Sequence, residues 1–478
     1  MKIYKKNILV FLKKIIGIEN IEFIKHAKNY MTATFFTKAL GFISVPIFTR
    51  LLTPDEYGIL AIFTSVISIS TILLGLNFHG AVNRYYHEEN KEFGEFISSN
   101  ILFLLFFNII SLYLINLYKN EISSLIKIEV NIFIIAIIIA IFNIPIKIFL
   151  SYLQTSKQSD KYSLISVSKS VLILIISIVW VYLLSDQKYF GKIYGYLVVS
   201  GIGFIIAVIY FIKLGKPKFK FKYVKYSLVF GIPLIPHSLS GFILSYFDRI
   251  AINQLTGSLD TGLYSFAYNI GMIMNVVVMA MNKAWLPIFY HNLKENNFKE
   301  IDELAVTYSK YIFMAAISLI LFSREIVIIL ADERYYSALK IVPVIIISFV
   351  FVFLYTLFGN YSFYRKKTLL ISTATLLAGL INIGLNYWLI PKFGYVAAAY
   401  TTLISYMILF IFHYINSKFI IKENVINLKN ILIDFVILLF IIGLYLFLFN
   451  FINNFAILLI IKLIIFAIVL YYFVIKSN

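Results

Sequence analysis

The feature that most constrains this chain is a repeated alternation. Apolar stretches of about 20 residues follow one another, and the short loops between them are by turns rich and poor in lysine and arginine. A bilayer core of roughly 30 Å is crossed by about 20 residues of helix. No water is present there, so a spanning backbone must satisfy its own hydrogen bonds as a helix or a closed barrel. Barrel strands would read as short alternating segments. Unbroken apolar runs such as 132–140 and 435–449 exclude that pattern. The chain is therefore expected to be an all-α integral membrane protein, and its function must be carried by a bundle of helices.

Only 14% of the residues are charged, against about a quarter in a soluble chain. The net charge of +19 would ordinarily raise nucleic acid as a partner. Here the lysines sit between spans, where anionic lipid headgroups explain them more simply. Membrane lipid is thus an expected partner and nucleic acid is not. The absence of cysteine excludes a disulfide framework, a thiolate nucleophile and a cysteine metal site. The first residues are basic (Lys2, Lys5, Lys6, Lys13, Lys14, Lys25, Lys28) and hold a short apolar run, Ile8 to Leu12. No small-residue cleavage site follows, so a signal peptide is not expected. An interfacial amphipathic helix and a solvated tail both fit.

The apolar periodicity places about fourteen spans, at 31–52, 57–80, 96–118, 130–152, 163–184, 193–212, 227–249, 259–282, 306–323, 341–364, 368–389, 394–415, 431–450 and 455–475. The ninth is the weakest, because Arg324 and Glu325 interrupt it. With both termini in the cytoplasm, the N-terminal lysines, Arg84, Lys91, Lys157, Lys161, Lys213 to Lys225, Lys283, Lys294, Lys299, Arg365 to Lys367, Lys418, Lys422, Lys429 and Lys476 share one side. The opposite side keeps a smaller set: Arg50, Lys119, Lys127, Lys188, Lys192, Arg249, Arg324, Arg334, Lys340 and Lys392. The positive-inside rule favours this orientation.

The basic stretch after the sixth span reads as a linker between two six-helix halves. Leu52-Thr53 followed by Gly58 is echoed by Leu255-Thr256 followed by Gly262, and proline lies in the first helix of each half (Pro46; Pro233 and Pro236). Transporters are commonly built from such repeats, with substrate bound where the halves meet. The expected organisation is a basic cytoplasmic segment at 1–30, an N-lobe at 31–212, a linker at 213–226, a C-lobe at 227–415 and two appended helices at 431–475.

The residues for chemistry are missing. Gly191-Lys192 and Gly215-Lys216 lack the upstream glycine of a phosphate-cradling loop, and no zinc-protease or serine-hydrolase motif occurs. No loop is long enough to form a catalytic domain. A transporter without catalytic residues, cofactor or metal is expected.

Ionisable groups within spans cost about 2.5–3.5 kcal/mol each on insertion scales, so they point to function. Lys38 lies about 10 Å into the first span at 1.5 Å per residue. Lys147 and Lys169 lie at similar depth from the same side, where Arg84 and Lys283 close the second and eighth spans. One reading is a basic zone for an anionic headgroup such as a lipid diphosphate, since lysine and arginine are natural phosphate partners. The other is snorkelling to the interface. Asp248 and Arg249, and likewise Arg50 and Glu56, fit either a gate or ion-coupling site or helix-end charges in the headgroup zone.

The segment Pro46-x-x-x-Arg50-x-Leu52-x-x-x-Glu56-Tyr57-Gly58 resembles the first-helix signature of bacterial polysaccharide biosynthesis flippases of the multidrug/oligosaccharidyl-lipid/polysaccharide (MOP) exporter superfamily. Asp248-Arg249, Gly257, Gly262-Leu263-Tyr264-Ser265, Ala267-Tyr268 and Ala284-Trp285-x-Pro287 resemble its seventh- and eighth-helix region. The resemblance implies a V-shaped, MATE-like bundle of six, six and two helices in the bacterial cytoplasmic membrane. It implies alternating access for an undecaprenyl-diphosphate-linked oligosaccharide destined for O-antigen, capsule or a related surface polysaccharide. A cationic cavity, coupling to a proton or sodium gradient and polysaccharide-assembly partners are further implications. Arg50, Glu56, Gly58, Asp248 and Arg249 are the family positions. Acids within spans are sparse, leaving Asp248 and Asp434 as coupling candidates. Two alternatives are a cation or multidrug antiporter of the same superfamily, which would need an acidic cavity, and a membrane glycosyltransferase or polysaccharide polymerase.

Overall fold

The computed structural model describes residues 21–88, 92–215, 218–423, 425–451 and 455–475. The basic segment before Ile21, with its Ile8 to Leu12 run, lies outside the described residues, as do Lys91, Lys216 and Lys476. Among the described residues there is no strand. Many helices are rich in isoleucine, valine and phenylalanine, which favour strands in water. In lipid the backbone must bond within its own segment, and that requirement overrides side-chain propensity. Among the described residues thirteen helices are long and apolar enough to cross a membrane, and Ile457–Phe473 is a shorter apolar helix. The protein is a multi-pass membrane protein.

The first half contains α1 (Ile21–Leu51), α2 (Pro54–Gly75), α3 (Phe78–Glu88), α4 (Phe93–Leu117), α5 (Lys119–Ile126), α6 (Val130–Thr155), α7 (Ser159–Leu183) and α8 (Tyr189–Gly215). Here α1 packs on α7, α2 on α6, and α8 on α4, α6 and α7. The next segments are α9 (Phe221–Gly231), α10 (Ile235–Phe242), α11 (Asp248–Leu255), α12 (Ser258–Lys294), α13 (Phe298–Leu321) and α14 (Ser323–Leu330). They are followed by α15 (Val342–Tyr364), α16 (Thr368–Phe393), α17 (Tyr395–Ile415), α18 (Leu428–Phe451) and α19 (Phe455–Leu470). In this half α15 packs on α12 and α17, α16 on α17, and α18 and α19 on α13.

The seventh span is the least regular. Its apolar stretch covers Phe221–Leu255, but Pro233 and Pro236 lack the N–H that would continue the helical ladder. The backbone tightens to a 3₁₀ turn over Ile232–Leu234, where the Ile235 N–H donates to the Ile232 carbonyl. A π turn over Ile243–Phe247 follows. On one side of the proline break α9 packs against α3 and α4; on the other, α10 and α11 pack against α16. The ninth span also divides: α13 ends at Leu321, and Arg324 and Glu325 fall in the first turn of the separate helix α14.

The halves are latched where α2 and α12 begin. A capping box between Thr53 and Glu56, with Pro54 in the first turn, fixes the start of α2. Gly58 and Gly262 then face each other so closely that a β-carbon on either would collide with the backbone of the other helix, at Ser258 and Pro54 respectively. Ser258 donates to the Asp55 carboxylate. Around this contact, side chains of each half satisfy last-turn carbonyls of the other. Thr49 donates to the Leu330 carbonyl at 2.7 Å and Arg50 to that of Ile329 at 2.9 Å. Asn253 donates to the Ile126 carbonyl at 2.7 Å, and Gln254 to that of Leu125 at 2.6 Å. Last-turn carbonyls have no partner within their own helix, so they are natural acceptors for such contacts.

The two appended helices are fastened by polar groups inside the apolar zone. Lys462 of α19 is 0% exposed and holds both Glu325 carboxylate oxygens, at 2.7 and 2.8 Å. A charge pair this deep is tolerated because each partner neutralises the other.

Candidate functional site

A cavity of about 360 Å³ lies between the halves, along α2 from Tyr57 to Thr64 and along α12 from Ser265 to Met279. The latch described above occupies the helix starts at one end. The tyrosines Tyr57, Tyr246, Tyr268, Tyr355 and Tyr406 line the cavity with Asn269, Asn275 and Ser265. Asn269 donates to the Tyr57 hydroxyl at 2.8 Å, tying α12 to α2 across the cavity wall. Ser265 Oγ and Asn275 Oδ1 are buried without a hydrogen-bond partner.

Two cations reach the cavity, Lys192 in the first turn of α8 and Arg249 in α11. The Arg249 guanidinium lies 4.6 Å from the Tyr268 ring and 5.2 Å from the Tyr246 ring, and donates to the Ser245 carbonyl at 2.6 Å. A guanidinium has five N–H donors, so capacity is left for a ligand. Lys192 Nζ lies 4.4 Å from the Phe48 ring and 5.9 Å from the Tyr57 ring. Among the described residues no carboxylate lies within 4.0 Å of either cation, and no acidic residue lines the cavity. Ring faces are worth about 0.5–2 kcal/mol to a cation, less than the several kcal/mol that an ion loses on leaving water. The site is short of negative charge, and an anion would complete it.

Asp248 points elsewhere. Adjacent residues on a helix are about 100° apart, so Asp248 faces α12, α16 and α17 while Arg249 faces the cavity. Its carboxylate is 1% exposed. One oxygen accepts from Tyr264 and Thr402, each at 2.6 Å, and the other from Asn386 at 2.6 Å. Asn386 also donates to Asn382 at 3.1 Å, and Asn382 Nδ2 is buried without a partner. The π turn immediately before Asp248 resets the helix phase at this point, a feature common at functional sites.

The other residues singled out by the sequence are dispersed. Lys38 is exposed on α1 and does not line the cavity. Arg50 caps α14, and Glu56 closes the capping box of α2. Arg84 pairs with Glu88 at 2.7 Å and lies over the Tyr226 and Phe230 rings in a cleft between α3 and α9. Lys147 on α6 and Lys283 on α12 are exposed. Lys169 donates to Asn143 at 2.6 Å within the first half. Asp434 of α18 is buried and accepts from Tyr472 at 3.4 Å. The apolar pattern begins the sixth span at 193 and leaves Lys192 in the preceding loop. The helix starts at Tyr189 instead, which carries Lys192 into the bundle. The aromatic and glycine pattern Tyr189-Phe190-Gly191 and Tyr194-Gly195-Tyr196 was the available signal. Gly191 and Gly195 let α8 press against Val181 and Ser177 of α7.

The polysaccharide biosynthesis protein family matches residues 24–293. A Haemophilus influenzae protein of the Lsg locus is 24% identical over 371 residues, covering 75% of this chain and 89% of that protein. A Haloferax volcanii protein named probable low-salt glycan biosynthesis flippase Agl15 is 22% identical over 400 residues, covering 80% of each. Among solved structures, lipid II flippase MurJ in an inward closed conformation matches with a TM-score of 0.75 at 18% identity, covering 93% of this chain and 98% of MurJ.

Proposed function

This chain belongs to the polysaccharide biosynthesis protein family, and from that premise we propose that it is a flippase. It carries a polyprenyl-diphosphate-linked oligosaccharide from one membrane leaflet to the other without covalent change. The observation that carries this reading is the cavity between the halves, with Lys192 and Arg249 unpaired by any acid among the described residues. A diphosphate cannot enter hydrocarbon without compensating charge. The two cations supply that charge, the tyrosines and asparagines accommodate polar cargo, and the polyprenyl tail stays in lipid. The same lining disfavours a cationic cargo, which would meet like charge. The names of the Haloferax relative and of MurJ accord with a flippase.

In this reading the polyprenyl group is undecaprenol, the membrane is a bacterial cytoplasmic membrane with both termini inside, and the glycan feeds O-antigen, capsule or a related polymer. The moving bodies are the halves, 31–212 and 227–415. Transport alternates between closure at the latch and closure at the opposite end. Asp248, in its cage of Tyr264, Thr402 and Asn386, is the coupling residue for a proton or sodium ion.

The test is leaflet transfer of a labelled polyprenyl-diphosphate oligosaccharide in proteoliposomes. Lys192→Ala and Arg249→Ala should each lower the rate by about tenfold or more, the scale of one charge-assisted contact. Expression and oligomeric state should be unchanged. Asp248→Asn should retain cargo binding and lose the response to an imposed ion gradient. Normal transfer in both cation variants would refute the cavity assignment, and covalent turnover of the probe would favour an enzyme.

A further inference from the structure

Lys192 also lines a second, smaller cavity of about 160 Å³, enclosed by α1, α7 and α8 within the first half. Its walls bring together the hydroxyls of Thr37, Ser44, Ser170 and Ser177 with the rings of Phe48 and Tyr196. Three of the hydroxyls spend their protons on their own helices. Thr37 donates to the Thr34 carbonyl at 3.0 Å, Ser44 to that of Gly41 at 2.6 Å and Ser170 to that of Ser166 at 3.1 Å. Their oxygens are left as acceptors. Ser177 is 0% exposed, and its Oγ has no hydrogen-bond partner.

This chemistry selects a ligand. A phosphate would face the acceptor oxygens of Thr37, Ser44 and Ser170 and would have the Lys192 ammonium and the unspent Ser177 hydroxyl as its main donors. A metal cation would lie beside an ammonium group with no carboxylate in the lining to balance it. A neutral polyhydroxyl ring fits both surfaces: its hydroxyls donate to the spare oxygens, and its C–H face packs on Phe48 and Tyr196. We propose that the α1–α7–α8 pocket is the subsite for the first sugar of the lipid-linked glycan. Lys192 stands at its junction with the central cavity and touches the diphosphate on one side and the sugar on the other. This assignment rests on the flippase reading above and adds to it which part of the cargo the first half holds.

The test uses the full-length protein in lipid nanodiscs, with binding followed by native mass spectrometry. The probes are a bare polyprenyl diphosphate and the same lipid carrying one hexose or one N-acetylhexosamine. The unaltered protein should prefer a sugar-bearing probe by about tenfold, the scale of one or two net hydrogen bonds. Ser170→Leu, which fills the pocket from a partly buried position, should erase that preference and leave binding of the bare diphosphate within about twofold. Ser177→Ala, which removes the oxygen without adding bulk against Gly195, should reduce the preference about threefold. Lys192→Met should weaken every probe. Equal binding of bare and sugar-bearing probes by the unaltered protein would overturn the subsite alone. So would a pocket-filling variant that lowers both classes equally. Failure to bind any of the probes would overturn the flippase reading and the subsite with it.

Discussion

The two ends of the bundle hold the first half and the seventh span in place by different means. At the latch, most acceptors are neutral carbonyls, although the Arg50 guanidinium is among the donors and the Asp55 carboxylate accepts from Ser258. Carbonyls of Ile329, Leu330, Leu125 and Ile126 accept from side chains of the opposite half, around a glycine contact that places backbone against backbone. At the other end, α9 is stitched to α3 and α4 by carboxylates. Glu88 accepts from Tyr226 and pairs with Arg84, Glu92 accepts from Tyr223 and pairs with Lys222, and Glu95 pairs with Lys218 and Lys220. A carbonyl neither titrates nor gathers counterions. An exposed carboxylate does both. The latch therefore depends mainly on how closely the helices approach, whereas the stitches answer more directly to the aqueous surroundings.

The sharpest way to break this contrast is to add side-chain volume at the glycine contact. Gly58→Val or Gly262→Val should hold α2 and α12 apart and lower transport by about a hundredfold or more, the equivalent of about 2.7 kcal/mol. Cysteines placed at Asp55 and Ser258 should cross-link in the parent and fail to do so in the valine variants. Cross-linking at the parental rate would show that the contact does not set the approach of the halves.

A smaller effect is expected from removing donors. Thr49→Val together with Arg50→Met strips both donors from the end of α14. It should destabilise the protein by about 1–3 kcal/mol, measured by thermal unfolding in detergent. Salt should reduce only the Arg50 part of that difference, because both acceptors are neutral carbonyls and Thr49 carries no charge.

The smallest effects belong to the stitches, and acid should expose them. The hydrogen bond from Tyr226 and the charge of Arg84 hold the Glu88 carboxyl below its usual range, and Tyr223 with Lys222 does the same for Glu92. A depressed carboxylate contributes stability that is fully present above its ordinary value of 4.5 and is lost as pH falls through its lowered value. Hydrogen exchange over 221–231 should therefore quicken below the ordinary carboxylate range, after correction for intrinsic rates. The segment 49–52, whose contacts to α14 are made to carbonyls, should not change. Raising salt at neutral pH should loosen 221–231 in the same selective way. Matching responses at both ends would abolish the distinction.

The helix count and the all-α class were legible because lipid leaves a backbone few choices, so apolar length alone is informative. Arg249 could be singled out because a charge within a span is rare. Its separation from Asp248 followed from helix geometry. The rest depended on facts that a one-dimensional reading does not hold. Lys38 reads as a lysine within a span and Lys192 as one just outside it, yet the first is exposed and the second lines two cavities. Helix rotation and a four-residue shift in where α8 starts decide between them. Glu56 resembled a gate residue, but its visible bonds close a turn with Thr53. The cage around Asp248 draws on Tyr264, Asn386 and Thr402, which only the packing of α12, α16 and α17 brings together.

Helix α14 carries a constraint of a different kind. Near its start Glu325 is gripped by Lys462 of the last helix, and at its end two carbonyls are gripped by Thr49 and Arg50 of the first. Each residue of a helix turns the chain by about 100° and advances it by 1.5 Å. Inserting or deleting a single residue between Glu325 and Ile329 would swing one set of grips away from its partners, whatever residue was chosen. Along this short rod spacing matters more than identity. Its exposed Ile328 can change among helix formers and its buried Val327 must stay apolar, while its length cannot change at all.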